Sequence, residues 1–144
     1  MASAIDLADP ADPHDIHPKN KQDVGLRLAS LALAIAPSQK VFAHGPMFQN
    51  VQTQGNQMRV TFAHAEGGLQ ARGDELKGFA VAGEGGPWQG ADAKIEGDAV
   101  VLSSARVPVP KEARYNWADN PIGNLYNGAG LPATPFRTDT HSPR

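Results

Sequence analysis

The chain has 144 residues and no cysteine, enough length for one domain that buries a core without staples, and a composition that excludes disulfides, thiolate metal sites and cysteine nucleophiles. The formal net charge is -2 and the 13 basic residues are scattered, so there is no electrostatic footprint for nucleic acid.

Residues 1–13 are polar and proline-punctuated, the pattern of a flexible N-terminus. They carry aspartates before any lysine or arginine, the reverse of how a signal peptide begins. Pro18 suits the first position of a helix, and it biases His17 towards extended backbone. Val24, Leu28, Leu31 and Ile35 recur at helical spacing, predicting one helix over 18–36 that Pro37 stops. The longest apolar run, 31–37, is far below the roughly 20 residues that span a bilayer, and no membrane span is expected.

After Pro37 the period changes. Residues 51–54 and 57–62 flank Gly55-Asn56, and Met58, Val60 and Phe62 alternate with polar neighbours, which predicts a hairpin with one buried face. Residues 94–96 and 99–102 flank Gly97-Asp98 and predict a second. Short strands are expected at 69–72 and 78–82 between glycine-rich turns. With 15 glycines and 12 prolines, the expected fold is mainly β, an antiparallel jelly-roll-like β-sandwich preceded by one α-helix. Residues from Asn116 onward are expected to be mainly loop. The late aromatics Trp88, Tyr115, Trp117, Tyr126 and Phe136 sit among asparagines. They suit either a sugar-binding surface or, more simply, a sandwich core in which Tyr115 and Trp117 pack inward while Asn side chains tie down loops.

The chemistry concentrates in residues 12–18, Asp12-Pro13-His14-Asp15-Ile16-His17-Pro18. A serine esterase needs an imidazole to carry the serine proton, and a carboxylate to hold that imidazole in the right tautomer. Asp15 and His17 can meet in a turn, with Asp12 as a second possible carboxylate. A helix N-terminus favours the neutral imidazole that a base requires, while a nearby aspartate opposes this. Pattern alone favours the plainer reading, a helix cap and turn. His14 and His17 lie beside two aspartates, but without further spaced ligands no metal and no cofactor is expected.

The run Asp-Ile-His-Pro-Lys-Asn-Lys-Gln-Asp-Val-Gly-Leu-Arg-Leu-Ala at 15–29 resembles the last block of the sialate O-acetylesterases, serine esterases of the SGNH (GDSL-like) class. The resemblance continues through Gly45-Pro46-Met47-Phe48, Glu75-Leu76-Lys77-Gly78-Phe79, Arg114-Tyr115-Asn116-Trp117-Ala118-Asp119-Asn120-Pro121 and Asn124-Leu125-Tyr126-Asn127 to about residue 139. It implies that His17 is the general base and Asp15 its orienting acid. The wider class usually separates the two by two residues, and that position here is His14. It also implies an O-acetylated sialic acid or related acetylated sugar as substrate, and a periplasmic or secreted location.

The family's nucleophile lies upstream in a glycine-flanked serine elbow. Ser3, Ser30, Ser38, Ser103, Ser104 and Ser142 lack that setting. The chain is therefore expected to be the C-terminal part of an esterase. Residues 1–36 would comprise a flexible N-terminus plus the last helix of the catalytic domain, and 37–144 a β-sandwich module with a loop-rich tail. Its partner would be the missing N-terminal catalytic segment, and alone it is expected to be inactive. The alternative is a non-catalytic accessory sandwich that binds carbohydrate or stabilises a neighbouring domain.

Overall fold

The computed structural model describes residues 2–9, 11–12, 14–36 and 41–140. Pro13, Pro37, Ser38 and Ser142, named above, lie outside the described residues.

The fold is mainly β, an antiparallel sandwich preceded by one helix. Strands β1 (Met47–Gln54), β2 (Gln57–Ala63), β6 (Asp92–Glu96) and β7 (Ala99–Ser103) form one sheet in the order β1-β2-β7-β6. A second sheet takes β4 (Phe79–Ala82), β5 (Gln89–Gly90), β8 (Glu112–Tyr115) and β10 (Phe136–Arg137) in the order β10-β8-β4-β5. A two-stranded ribbon joins β3 (Leu69–Ala71) to β9 (Leu125–Asn127).

Both predicted hairpins form. Gly55 opens the β1–β2 turn at φ 62° and Gly97 opens the β6–β7 turn at φ 65°. Only glycine takes this left-handed backbone freely at the first turn position. The turn chemistry sets register, and register sets burial. Met58 faces Leu102 and Val60 faces Val100 across β2 and β7, and all four are buried. Their neighbours Arg59 and Thr61 turn outward, as the two-residue period of a strand requires.

The second sheet offers the opposing face, with Phe79, Val81, Ala113, Tyr115 and Phe136 buried. Phe136 is the hub. Its ring lies 4.7 Å from Phe48, 6.0 Å from Phe62 and 6.4 Å from Phe79, centroid to centroid, in stacked and edge-on arrangements. The tail read as loop thus carries two core strands. Leu125, Tyr126 and Asn127 are all buried, and Asn127 is tolerated there because its amide donates to the His44 and His64 carbonyls and accepts the Leu131 N–H. Strands of two or three residues amid prolines and glycines leave too short a pattern to read.

Two further expectations need correction. Tyr115 packs in the core, but Trp117 remains 49% exposed. Asn116 between them adopts φ 49°, which ends the strand alternation and turns Trp117 outward. Helix α1 runs Lys21–Ile35 rather than from Pro18. The Asn20 side chain accepts the Asp23 N–H and donates to the Asp23 carboxylate, so the reciprocal cap forms two residues after the proline.

The apolar stripe is only half docked, with Val24 and Leu31 half-buried on the side of Arg27. Leu28 and Ile35 are 56% and 84% exposed, while the buried residue of the helix is Arg27.

Candidate active site

The turn before α1 brings together the two residues singled out above. Asp15 Oδ1 accepts the His17 backbone N–H and lies 2.9 Å from His17 Nδ1 as well. The aspartate thus closes a local turn through the main chain and grips the imidazole with the same oxygen. The His17 N–H, then the His17 ring, lower the Asp15 pKa below the ordinary carboxylate value. A carboxylate on Nδ1 favours the tautomer that keeps the lone pair on Nε2, the nitrogen a general base uses. The His17 side chain is 78% exposed, and the adjacent Ile16 is exposed as well.

Asp12 is exposed and meets this turn through its carbonyl, which accepts the Asp15 N–H. Among the described residues no serine hydroxyl is within hydrogen-bond reach of His17. Ser3 turns its carbonyl to Arg27, Ser30 is on α1, and Ser103 is on β7. Also among the described residues, no three His, Cys, Asp or Glu side chains gather as a metal site.

What fixes α1, and with it the dyad, is a clamp that sequence reasoning missed. Arg27 donates to both carboxylate oxygens of Asp6 at 2.6 and 2.8 Å and to the Ser3 carbonyl. The Tyr126 hydroxyl donates to Asp6 Oδ2 at 2.8 Å, and the Arg72 guanidinium lies 3.7 Å over the Tyr126 ring. Burial would raise the Asp6 pKa, but hydrogen bonds from Arg27 and Tyr126 with the Arg27 charge outweigh it and the net shift is downward. Burial, with the Asp6 hydrogen bond added, pushes the Tyr126 hydroxyl up to about 12. No local pattern announces a contact between residues 6, 27 and 126.

Asp139 is a further lowered carboxylate, held well below the carboxylate range by hydrogen bonds from Arg114 and Arg137. A carboxylate depressed by folding stabilises the fold above its unfolded pKa of about 3.9, and that contribution disappears as pH falls through the folded value. The protein is therefore expected to keep a constant urea midpoint from neutrality to about pH 5 and to lose stability steadily below about pH 4. In Asp6→Asn and Asp139→Asn variants the midpoint will be lower at neutral pH and flatter in acid. An acid dependence unchanged in both variants would count against these two groups.

No family model matches the chain, and no curated protein matches it. A solved structure does: that of a carbohydrate acetylesterase from Xanthomonas citri, 39% identical, with a TM-score of 0.89 over 97% of this chain and 32% of that one. The chain spans about a third of the length of the acetylesterase it matches.

Proposed function

We propose that this chain is part of a carbohydrate esterase, to which it contributes His17 as general base and Asp15 as the carboxylate that orients it. The observation carrying this reading is the contact of Asp15 with His17 Nδ1 in a chain 39% identical to a carbohydrate acetylesterase. The finer reading, from the sequence motifs, is an SGNH-type sialate O-acetylesterase acting on O-acetylated sialic acid or a related acetylated sugar. In this reading 1–36 belong with the catalytic domain and 37–144 form the sandwich module.

The chemistry assigns Nε2 of His17 to take the proton of a serine hydroxyl as its oxygen attacks the acetyl carbonyl. The imidazolium, stabilised by Asp15, then protonates the sugar oxygen as the C–O bond breaks. Water repeats the cycle to release acetate. Serine and oxyanion hole are supplied by an N-terminal catalytic segment paired with this chain. Leu26 and Leu33 are exposed on one side of α1 and Leu28 and Ile35 on the other, with Phe42 exposed beyond it, consistent with a helix that such a segment surrounds.

A chimera tests this. This chain replaces the aligned third of the Xanthomonas citri acetylesterase, and acetate release from acetylated sugars is followed. The chimera is expected to turn over, and His17→Ala within it to slow turnover by about 10²–10⁴-fold. The chain alone should not exceed buffer. A chimera whose turnover is the same with and without the His17→Ala substitution would refute the assignment.

A further inference from the structure

The outer face of the second sheet carries a row of residues aligned by strand register. Arg137 on β10 stands opposite Arg114 on β8, Arg114 opposite Ala80 on β4, and Ala80 opposite Gly90 on β5. These positions alternate with the buried Phe136, Tyr115, Phe79 and Val81, so the row faces away from the core. Side-chain size falls along it from arginine to glycine. The result is a cleft of about 290 Å³ over Ala80, walled by Trp88 and Trp117 and edged by Arg114 and Asn120. That volume is at the small end of the roughly 300–1,000 Å³ of ligand sites, the scale of a short saccharide.

Two arginines side by side repel each other unless a counter-charge joins them. Asp139 does so, accepting from Nε and a terminal nitrogen of both guanidiniums, at 3.2 and 2.9 Å for Arg114 and 3.1 and 2.5 Å for Arg137. The fixed guanidiniums then stack on the cleft walls, Arg114 at 3.8 Å over the Trp88 ring and Arg137 at 5.4 Å over the Trp117 ring. One buried carboxylate therefore pins both indoles through two cations. A pinned, half-exposed indole has little rotamer freedom left to lose when a ligand stacks on it. Arg114 is the one charged side chain lining the cleft, and it shares the Asp139 carboxylate with Arg137.

Flat apolar walls with amide and guanidinium groups at the rim match a ring that has a C–H face and a hydroxyl edge. We propose that this cleft is a non-catalytic binding site for a neutral pyranoside oligosaccharide, with Trp117 as the stacking platform and Arg114 and Asn120 as hydroxyl partners. It includes no part of the turn holding Asp15 and His17, and the proposal is independent of the esterase reading.

The chain has two tryptophans and both wall this cleft, so intrinsic fluorescence reports on it directly. Titration with cellotetraose and xylotetraose is expected to give a saturable change with at least one of them, insensitive to added salt. Trp117→Ala should weaken binding about tenfold or more. Ala80→Leu fills the depression while leaving both indoles in place, and it should abolish the response. Thermal melts by circular dichroism establish that each variant is folded. No saturable change with either sugar up to about 10 mM, weaker than a dissociation constant in the millimolar range, would overturn the proposal. So would binding by a folded Ala80→Leu variant with the affinity of the parent.

Discussion

Tyr115→Ala is expected to remove about 5 kcal/mol of stability, a large share of the roughly 5–15 kcal/mol that holds a domain together. Tyr115 is 1% exposed, with its ring 4.6 Å from Phe79 and 6.3 Å from Phe136, centroid to centroid. Truncating a buried aromatic leaves a cavity that costs about 3–5 kcal/mol. The hydroxyl oxygen also accepts the buried Leu125 N–H at 2.9 Å, and orphaning that donor adds about 1–3 kcal/mol. Burial has already pushed the phenol up to about 12, so it stays neutral throughout. Urea unfolding measures the loss, and Tyr115→Phe isolates the hydrogen bond at about 1–3 kcal/mol. If Tyr115→Ala costs less than about 2 kcal/mol, the aromatic core collapses around the gap and the ring is not a keystone.

Asp6→Ala should act locally instead. It leaves Arg27, whose side chain is 9% exposed, without its carboxylate, and removes the acceptor of the Tyr126 hydroxyl. Breaking one partner of a buried pair costs about 3–5 kcal/mol because the remaining charge is left uncompensated. The helix has no buried apolar residue to hold it in place of the clamp. Amide exchange within α1 should therefore rise by roughly a hundredfold or more, while β2 and β7 keep their protection. The double variant Asp6→Leu/Arg27→Met removes both charges and should recover part of the loss. Exchange that rises equally everywhere would mean the clamp supports the whole fold. Exchange that does not change would mean it supports nothing.

What the sequence made legible was what local chemistry decides. Gly55 and Gly97 mark their turns, Met58, Val60 and Phe62 carry the period of a strand, and Asp15 meets His17 because a single residue separates them. The sheet order was illegible, because Gln89–Gly90 and Phe136–Arg137 are too short to show a period and pair with distant partners. Arg27 reads as a surface residue on the polar side of a stripe, and only its pairing with Asp6 permits it to be the buried one. The cleft was half visible. The aromatics stood out in the sequence, but the left-handed turn at Asn116 that points Trp117 to solvent, and the shared carboxylate of Asp139, depend on tertiary geometry.

The clamp also orders events during synthesis. Asp6 and Arg27 emerge early and can pair as soon as α1 forms, but their third partner, Tyr126, lies 120 residues after Asp6. At about 5–20 residues per second, the ribosome needs roughly 6–24 s to reach it. Through that interval the helix has no strand to dock on, since β9 does not yet exist. Closure of Asp6 on Tyr126 must therefore wait for β9, which itself precedes the last core strand, β10.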